Sequence, residues 1–413
     1  MTERTTEPMP TASHENFDLR NLPDAFYADP YPVYRLLREE APVLELPGGG
    51  YFISNYEHLM HVYRDARRFS SDKFTQFEPV FGETSQLFEH HTTSLVFNDP
   101  PLHTNVRKAI GNALSNRMVV EMKLGIESLI DKLLDDIADR KQFDLIADFA
   151  SAIPIEIIGN MLAVPKAERA PLRRWSLAIL SSLEVGLDQF RLDEGNRCVS
   201  EFLEYLREFV SRRRSAMTAA DDDILVRLLR WESDGYRLTE SELYHQCIFL
   251  LNAGHETTTN LIGNGVELLM RFPDVLGQLK KQPRLIDSAI EEVLRYESSN
   301  QLGNRTTTED ISIDGVQIPA DTVLTLCIGA ANRDPVVFDH PDVFNIERNP
   351  NPHLAFGSGI HTCAGLNVAR LEGRIAIGKL IARFPRLKFT GAGQRAHRAR
   401  FRGFKSLPMS TGE

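Results

Sequence analysis

The residue with the most distinctive surroundings in the sequence is Cys363. It lies in the segment 356–365, FGSGIHTCAG, where three glycines fall within nine residues. Glycines at this density predict a backbone that turns tightly and comes close to a bulky or flat group. A predicted helix follows from Leu366, and free backbone N–H groups at its start favour a thiolate. The pattern therefore indicates a cysteine that acts as a ligand.

The other cysteines have no such surroundings. They lie far apart, with no C-x-x-C spacing, at Cys198, Cys247 and Cys327. This spacing argues against a disulfide framework and against a zinc knuckle. We expect these three to be small buried hydrophobic residues.

A second unusual segment is AGHETTT, at 253–259, inside a long predicted helix. The helix should begin near Thr239, which forms a capping-box pattern with Glu242, and end near Phe272 before Pro273. A glycine, a charge and three threonines oppose regular helix formation, and such local conflict often marks a functional site. A helix kink stabilised by threonine hydroxyls is the structural alternative.

The segment around Cys363 resembles the haem-binding loop of the cytochrome P-450 family. That loop reads Phe-Gly-x-Gly-x-His/Arg-x-Cys-x-Gly, and Phe356, Gly357, His361, Cys363 and Gly365 all match it. The resemblance implies that Cys363 is the axial ligand of a haem b iron and that O2 is a co-substrate. A thiolate ligand pushes electron density onto iron and favours O–O cleavage.

Other segments resemble the family in the same order along the chain. His103 and Arg107, four residues apart, and Arg305 match residues that bind the haem propionates, and His361 resembles a further donor. Glu292 and Arg295, with Arg348 downstream, resemble a buried structural cluster. A solvated helix face and an ordinary surface ion pair are the alternatives.

In the long helix, the resemblance implies oxygen chemistry. Ala253 and Gly254 would lie over the distal face of the haem, and Gly254 would leave room for dioxygen. Thr257 would hydrogen-bond the oxygen being reduced, and Glu256 would relay protons from solvent. Glu256 stands where aspartate is commoner in the family.

The elements that must position these residues are mostly helical. A hairpin is expected over Pro42–Ile53, with strands near 311–318 and 322–328. Helices are expected at 118–140, 155–162, 172–187, 199–212 and 285–296. The pattern predicts a mainly α fold with small β-sheets, in which a helix-rich lobe adjoins a smaller strand-rich lobe. We expect residues 1–20 to form a flexible tail and residues 21–413 a single haem domain.

Composition narrows the class of protein. The 413 residues are 42% hydrophobic and 25% charged, as in ordinary globular proteins, and the net charge of −10 argues against nucleic acid as a partner. No signal peptide or membrane-length apolar run is visible, so we expect a cytoplasmic protein away from the membrane, and a monomer.

The resemblance implies a monooxygenase that oxidises a small organic substrate. Electrons would come from NAD(P)H through a separate reductase and ferredoxin, which a basic surface at Lys108, Arg117, Arg370 and Arg374 would bind. A peroxide-driven peroxygenase and a non-catalytic haem-binding protein are the alternatives. Polar residues near the expected substrate position indicate a substrate with a polar group. The residues expected to contact it are Phe249, Asn252, Asn300 and Gln301.

Overall fold

The computed structural model describes residues 14–233 and 235–412. The helices of its first half are α1 (Asp24–Ala28), α2 (Tyr31–Glu40), α3 (Tyr56–Arg64), α4 (Phe74–Phe81), α5 (Gln86–Thr93), α6 (Leu102–Ala113), α7 (Asn116–Arg140) and α8 (Ala152–Met161). Those of the second half are α9 (Leu172–Ser181), α10 (Gln189–Ala216), α11 (Ile224–Arg230), α12 (Glu240–Arg271), α13 (Pro273–Lys281), α14 (Ile286–Tyr296), α15 (Ile328–Ala331) and α16 (Leu366–Arg383). The mainly α prediction is confirmed.

Short strands form four small sheets. The strands are β1 (Val43–Glu45), β2 (Tyr51–Ile53), β3 (Phe69–Ser70), β4 (Gln142–Asp144), β5 (Leu302–Thr307), β6 (Ile311–Ile313), β7 (Val316–Ile318), β8 (Val323–Cys327), β9 (Lys388–Phe389), β10 (Gln394–Arg395), β11 (Phe404–Ser406) and β12 (Pro408–Ser410). The largest sheet has the order β1-β2-β8-β5-β3, in which only the β2–β8 pair is parallel. The predicted hairpin is confirmed as β1–β2.

The central element is α12, which spans 32 residues. Its capping box is present, because the Glu242 backbone N–H donates to Thr239 Oγ1 and the Thr239 N–H donates to the Glu242 carboxylate at 2.7 Å. The helix packs against α8, α9, α14 and α16. The element that carries the AGHETTT segment therefore lies in the middle of the helical core, and α16 brings the cysteine loop to it.

Two helices differ most from the prediction. The helix expected over 172–187 ends at Ser181, and the chain then turns towards α10 with Gly186 at φ 74°. The helix expected over 199–212 begins ten residues earlier, at Gln189, where the Asp188 side chain caps it by accepting from the Arg191 N–H. Polar residues in its first turns hid this start from the apolar pattern.

The predicted tail is wrong for residues 14–20. Phe17 and Leu19 are buried, and the Phe17 ring meets the Phe52 ring edge-on at 5.0 Å. Burial of two large apolar side chains holds this segment on the strand-rich part of the protein. Residues 1–13 lie outside the described residues. Within the described ranges, no helix is both long and apolar enough to cross a bilayer.

Candidate active site

The cysteine loop adopts a backbone that requires its glycines. Gly357 and Gly359 have φ of 65° and 71°, and the Cys363 N–H donates to the Phe356 carbonyl at 2.9 Å. A Cβ on Gly359 would stand 2.1 Å from the Tyr63 carbonyl oxygen. Because both the left-handed φ and the close approach exclude larger residues, the glycine spacing seen in the sequence has a direct structural cause.

Cys363 differs from the other cysteines in exposure. It is partly exposed, whereas the remaining three are fully enclosed as expected: Cys198, Cys247 and Cys327. Burial raises the pKa of the Cys363 thiol, while the Gly365 N–H and the nearby guanidinium groups of Arg107 and Arg370 oppose that rise. The sulfur therefore faces hydrogen-bond and cationic partners that favour a thiolate ligand.

Basic groups from separate segments gather beside this loop. The His103 and His361 rings lie 4.1 Å apart between centroids, and Arg305 of β5 is buried. Burial is the main cause that lowers the pKa of His361 to about 2, and the charges of Arg305, His103, Arg107 and Lys73 lower it further. All four predicted propionate ligands thus belong to one cationic cluster.

A buried polar atom of the cluster lacks a hydrogen-bond partner: His361 Nε2 has none among the described residues. Arg305 donates from Nη1 to the Asn304 carbonyl at 2.7 Å, and its guanidinium lies 5.3 Å from the Tyr63 ring centroid. A buried imidazole nitrogen without a partner is costly, and a buried guanidinium attracts negative charge, so the arrangement suits an anionic ligand that accepts hydrogen bonds.

Lys73 is a member of this cluster that the sequence did not predict. It is 2% exposed, and its ammonium donates to Thr306 Oγ1 at 3.0 Å and to the Asp72 carbonyl at 3.3 Å. Burial lowers the pKa of Lys73 to about 7, and Arg305 adds to the shift while Asp99 opposes it. Its place depends on packing against β5, far away in the chain, so no local pattern could have identified it.

A stripe of open surface runs along the middle of α12. Phe249, Ala253 and Thr257, at successive four-residue steps, are exposed or partly exposed, although residues 243–248 and 258–266 of the same helix are all buried. Residues four apart share one helix face. Ala364 packs against the buried cluster to which α12 contributes Ile248 and Leu251. The helix that follows the cysteine loop, α16, packs directly on α12. The stripe is thus free surface on a helix that the cysteine segment contacts through α16.

Glu256 and Thr257, which we call the acid–alcohol pair, lie at the end of that stripe. The Thr257 hydroxyl donates to the Ala253 carbonyl at 2.7 Å. This is the bond from a threonine hydroxyl to the helix backbone that the structural alternative predicts, although α12 continues as α-helix through this segment. Glu256 is buried; its Oε1 accepts from Arg398, and its Oε2 has no partner among the described residues. Burial raises the pKa of Glu256, Arg398 opposes the rise, and Glu184 adds to it.

Gly254 has a packing function in the structure. A Cβ at this position would stand 2.7 Å from Ile158 Cδ1 of α8, so the glycine lets α8 and α12 approach each other. Gly254 is partly exposed, and its neighbour Ala253 lies on the open stripe. The predicted role of Gly254 in leaving room for dioxygen stays a prediction.

The structural cluster forms as predicted. Glu292 and Arg295 are both fully buried, and Arg348 Nε lies 3.1 Å from Glu292 Oε2. Nearby, Arg370 donates to both Glu291 oxygens at 2.7 Å, and its guanidinium lies 4.8 Å from the Phe356 ring centroid. These contacts tie α14 to the cysteine loop and to α16.

Two of the four predicted substrate contacts are enclosed by protein. Asn252 is 4% exposed and its Nδ2 lies 3.4 Å from His90 Nε2, while Gln301 is 1% exposed and donates to the Ser298 carbonyl at 2.7 Å. Neither reaches open space. Phe249 lies on the open stripe of α12, and Asn300 is partly exposed.

The predicted basic surface carries less net charge than its arginines indicate. Its arginines all have carboxylate partners: Arg117 pairs with Glu121, Arg370 with Glu291 and Arg374 with Asp287. Paired guanidinium groups contribute little long-range potential. These residues therefore do not form a strongly positive docking surface.

A buried carboxyl on α16 also escaped the sequence analysis. Glu372 is 3% exposed, its Oε2 has no partner among the described residues, and burial raises its pKa to about 8. Because α16 carries other charged residues and has no distinct apolar face, the sequence gives no signal that Glu372 points inward.

Comparison with known proteins agrees with this geometry. The family model described as Cytochrome P450 matches residues 189–395. The chain is 34% identical to the biotin biosynthesis cytochrome P450 of Bacillus subtilis (strain 168), over 93% of this chain and 97% of that protein. It is 35% identical to the vitamin D(3) 25-hydroxylase of Pseudonocardia autotrophica, over 97% and 98%.

Solved structures give the same result. The crystal structure of P450BioI in complex with hexadec-9Z-enoic acid ligated acyl carrier protein superposes with a TM-score of 0.87 at 33% identity, covering 94% of this chain and all of that one. CalO2 superposes with a TM-score of 0.89 at 30% identity, covering 96% and 99%. With its cysteine loop, cationic cluster and acid–alcohol pair in place, the chain belongs to the cytochrome P450 family and is a monooxygenase of that family.

Proposed function

We propose that the chain binds haem b through Cys363 and uses O2 to oxidise a small organic substrate, with electrons from NAD(P)H delivered by a separate reductase and ferredoxin. The observation that carries this proposal is the open stripe in the middle of α12, the helix on which α16 packs directly after the cysteine loop. Phe249, Ala253 and Thr257 leave free surface between enclosed parts of this helix, and Cys363 is partly exposed as well. A flat cofactor between the two fits this arrangement.

The residues present fit haem at both its iron and its carboxylates. Cys363 would hold the iron, and five basic residues would bind the propionates by charge-assisted hydrogen bonds: Lys73, His103, Arg107, Arg305 and His361. The unpartnered Nε2 of His361 supports this assignment. Haem bound through a thiolate supplies the electron density that favours O–O bond cleavage.

Glu256 and Thr257 would supply protons on the α12 side. The bond from the Thr257 hydroxyl to the Ala253 carbonyl holds the hydroxyl on the open stripe, and the neighbouring Glu256 keeps one carboxylate oxygen without a partner among the described residues. Burial raises the pKa of Glu256, which makes its carboxyl a better proton carrier than an exposed glutamate. Reduction of O2 consumes protons, so this pair favours O2 over peroxide as the oxidant.

Turnover with a surrogate ferredoxin and reductase tests the proposal. A compound selected by a spectral binding screen should be oxidised at the expense of NADPH and O2. The Thr257→Ala and Glu256→Gln variants should form about tenfold less product and release more hydrogen peroxide. Absence of turnover would support a non-catalytic haem protein. Turnover with added peroxide alone, at equal rates in the parent and in both variants, would support a peroxygenase.

The electron donor is tested at the basic surface. Because Arg374 already pairs with Asp287, its reversal to glutamate should slow reduction by the surrogate ferredoxin only modestly. A double variant that also reverses Lys108 changes the charge of the predicted surface by four units in total, and it should slow reduction more than the single variant. An unchanged reduction rate in the double variant would count against docking at this face. The expectations of a monomer and of a cytoplasmic location stay predictions.

The proposal of a substrate with a polar group now depends on Asn300. Asn300 is partly exposed, and its Oδ1 has no partner among the described residues. An unpartnered amide oxygen favours a ligand that donates a hydrogen bond, at about 1–3 kcal/mol. The Asn300→Val variant should therefore bind hydroxyl- or amine-bearing hits of the spectral screen more weakly. Equal affinity for every hit would remove the basis for a polar substrate.

A further inference from the structure

Glu184 lies in the turn between α9 and α10 and is enclosed by the C-terminal segment. Its side chain is 6% exposed. Its carboxylate accepts the backbone N–H groups of Ala399, Arg400 and Phe401 at 3.2–3.3 Å, and the Arg398 Nε–H at 3.0 Å. Three successive backbone donors and a guanidinium fix both carboxylate oxygens. The Glu184 carboxylate is thus held in a defined position, and it holds Arg398 in turn.

Arg398 connects this anion to the acid of α12. Its Nη1 donates to Glu256 Oε1, its Nη2 donates to the Leu180 carbonyl at 3.2 Å, and its guanidinium lies 5.0 Å from the Phe401 ring centroid. The side chain is 16% exposed. With contacts on three sides, the guanidinium has little freedom to leave Glu256.

Glu184, Arg398 and Glu256 form a triad in which one guanidinium serves two carboxylates. Arg400 adds a second positive charge, but it faces Glu184 and not Glu256. Arg398 engages only Oε1 of Glu256, and Oε2 is buried without a partner among the described residues. A carboxyl arranged in this way can carry a proton on Oε2 while Oε1 remains fixed.

We propose that Arg398 and Glu184 are positioning residues for Glu256: Glu184 fixes Arg398, and Arg398 orients Glu256 so that its free oxygen takes up and releases a proton. This inference rests on the proposed proton-relay function of Glu256. It adds two residues from distant parts of the chain to that function. Each acts on the reaction through Glu256 and not by contact with substrate or cofactor.

The two residues should change the protonation of Glu256 in opposite directions. The Arg398 charge stabilises the Glu256 carboxylate and lowers its pKa. Glu184 also binds Arg398 and adds a negative charge nearby, so it raises the pKa of Glu256. The other ionisable groups near the triad lie on different elements: Arg400 and Tyr27 face Glu184, and His255, with Arg173 nearby, faces Ser176 on α9. None of these groups bonds to Glu256, so the triad dominates its surroundings.

Infrared difference spectra of the holoenzyme, recorded over a pH titration, test the proposal. The carboxyl band lost in Glu256→Gln identifies Glu256. The Glu184→Gln variant keeps an oxygen for the backbone N–H groups but removes the charge, so the midpoint should move to lower pH, with about tenfold weaker proton binding. The Arg398→Gln variant should move it to higher pH, and Arg398→Lys should restore part of that change.

Controls separate the outcomes. Asp188 lies in the same turn, where its side chain caps α10 and bonds to Arg191. Among the described residues it makes no contact with Glu184, Arg398 or Glu256, so the midpoint of Asp188→Asn should match that of the parent. Equal midpoints in the Glu184 and Arg398 variants, or shifts in the same direction, would overturn the proposal. If Glu256→Gln left the ratio of peroxide to water formed from O2 unchanged with the surrogate ferredoxin system, the relay function itself would fail, whatever the infrared midpoints.

Discussion

Arg295 and Glu292 form a bidentate ion pair in the protein interior. The guanidinium donates from Nε to Glu292 Oε2 at 2.8 Å and from Nη2 to Oε1 at 2.7 Å, and both side chains are fully buried. Arg295 also donates to the carbonyls of Asn332 and Pro341 at 2.9 and 2.8 Å. The pair joins α14 to the segments that lead to the cysteine loop.

The Arg295→Met variant should be strongly destabilised. It leaves the Glu292 charge buried without this partner, at a cost of about 3–5 kcal/mol in the free energy of unfolding measured in urea. The matched control is Arg35→Met, since Arg35 pairs with Asp342 at the surface with 55% and 43% of the side chains exposed. That change should cost less than about 1 kcal/mol. Equal losses would show that burial of the pair is unimportant.

Glu297 should contribute to acid sensitivity. Burial opposes its ionisation, but Arg402, Arg395 and Arg333 outweigh burial and lower the pKa of Glu297 from 4.5 to about 2. A carboxyl with a lower pKa in the folded state stabilises the fold above its unfolded pKa, and this stability is lost as the pH falls towards the folded pKa. Glu297→Gln should therefore lose less unfolding free energy than the parent between about pH 5 and about pH 3.

The control for this pH effect is Glu309→Gln, which changes an exposed carboxyl. Its stability should depend on pH as that of the parent does. The Glu297→Gln protein should already be less stable at neutral pH, because Arg402 and Arg395 lose their carboxylate. An identical pH dependence in Glu297→Gln and the parent would contradict the assignment.

Gly254→Ala should affect packing rather than oxygen access. The new methyl would meet Ile158 Cδ1 at 2.7 Å, and crowding of this kind costs about 1–3 kcal/mol. Ile158→Val removes that contact and should recover part of the loss in the double variant. In Gly125→Ala on α7 the added methyl meets nothing within 4 Å, so that variant should gain about 0.5–1 kcal/mol. If Gly254→Ala left the stability unchanged but weakened carbon monoxide binding, Gly254 would instead serve to leave room for dioxygen.

Lys73→Met should weaken haem retention. Loss of one charge-assisted hydrogen bond to a propionate costs about 1.5–3 kcal/mol, which corresponds to about tenfold or more in haem affinity. The rate of haem transfer to excess apomyoglobin measures this effect without any turnover. Lys123→Met, on the exposed surface of α7, should transfer haem at the parent rate. If the two variants transferred haem at the same rate, Lys73 would not be a propionate ligand.

Local sequence patterns predicted the parts of the site that depend on spacing along one element. The capping box of α12, the Glu292–Arg295 pair and the glycines of the cysteine loop all follow from residues within ten positions of each other. Their geometry is set by helix periodicity or by backbone conformation. The family resemblance added the distant members His103, Arg305 and Arg348.

The remaining contacts depend on packing between distant segments. Arg398 lies 142 residues from Glu256, and Lys73 lies 233 residues from Thr306, so no spacing could pair them. The orientation of small and polar residues also depends on the neighbouring helix. Gly254 faces Ile158, and Asn252 faces His90. The sequence thus identified the segments of the site better than the direction of their side chains.

The spectrum of the reduced protein with carbon monoxide tests the central claim most directly. Thiolate ligation by Cys363 predicts a strongly red-shifted Soret band, which Cys363→Ser should abolish. Cys327→Ser, at a buried cysteine of the strand-rich part, should keep the band. A Soret band at the position typical of imidazole ligation, or a red-shifted band that survives in Cys363→Ser, would contradict the account.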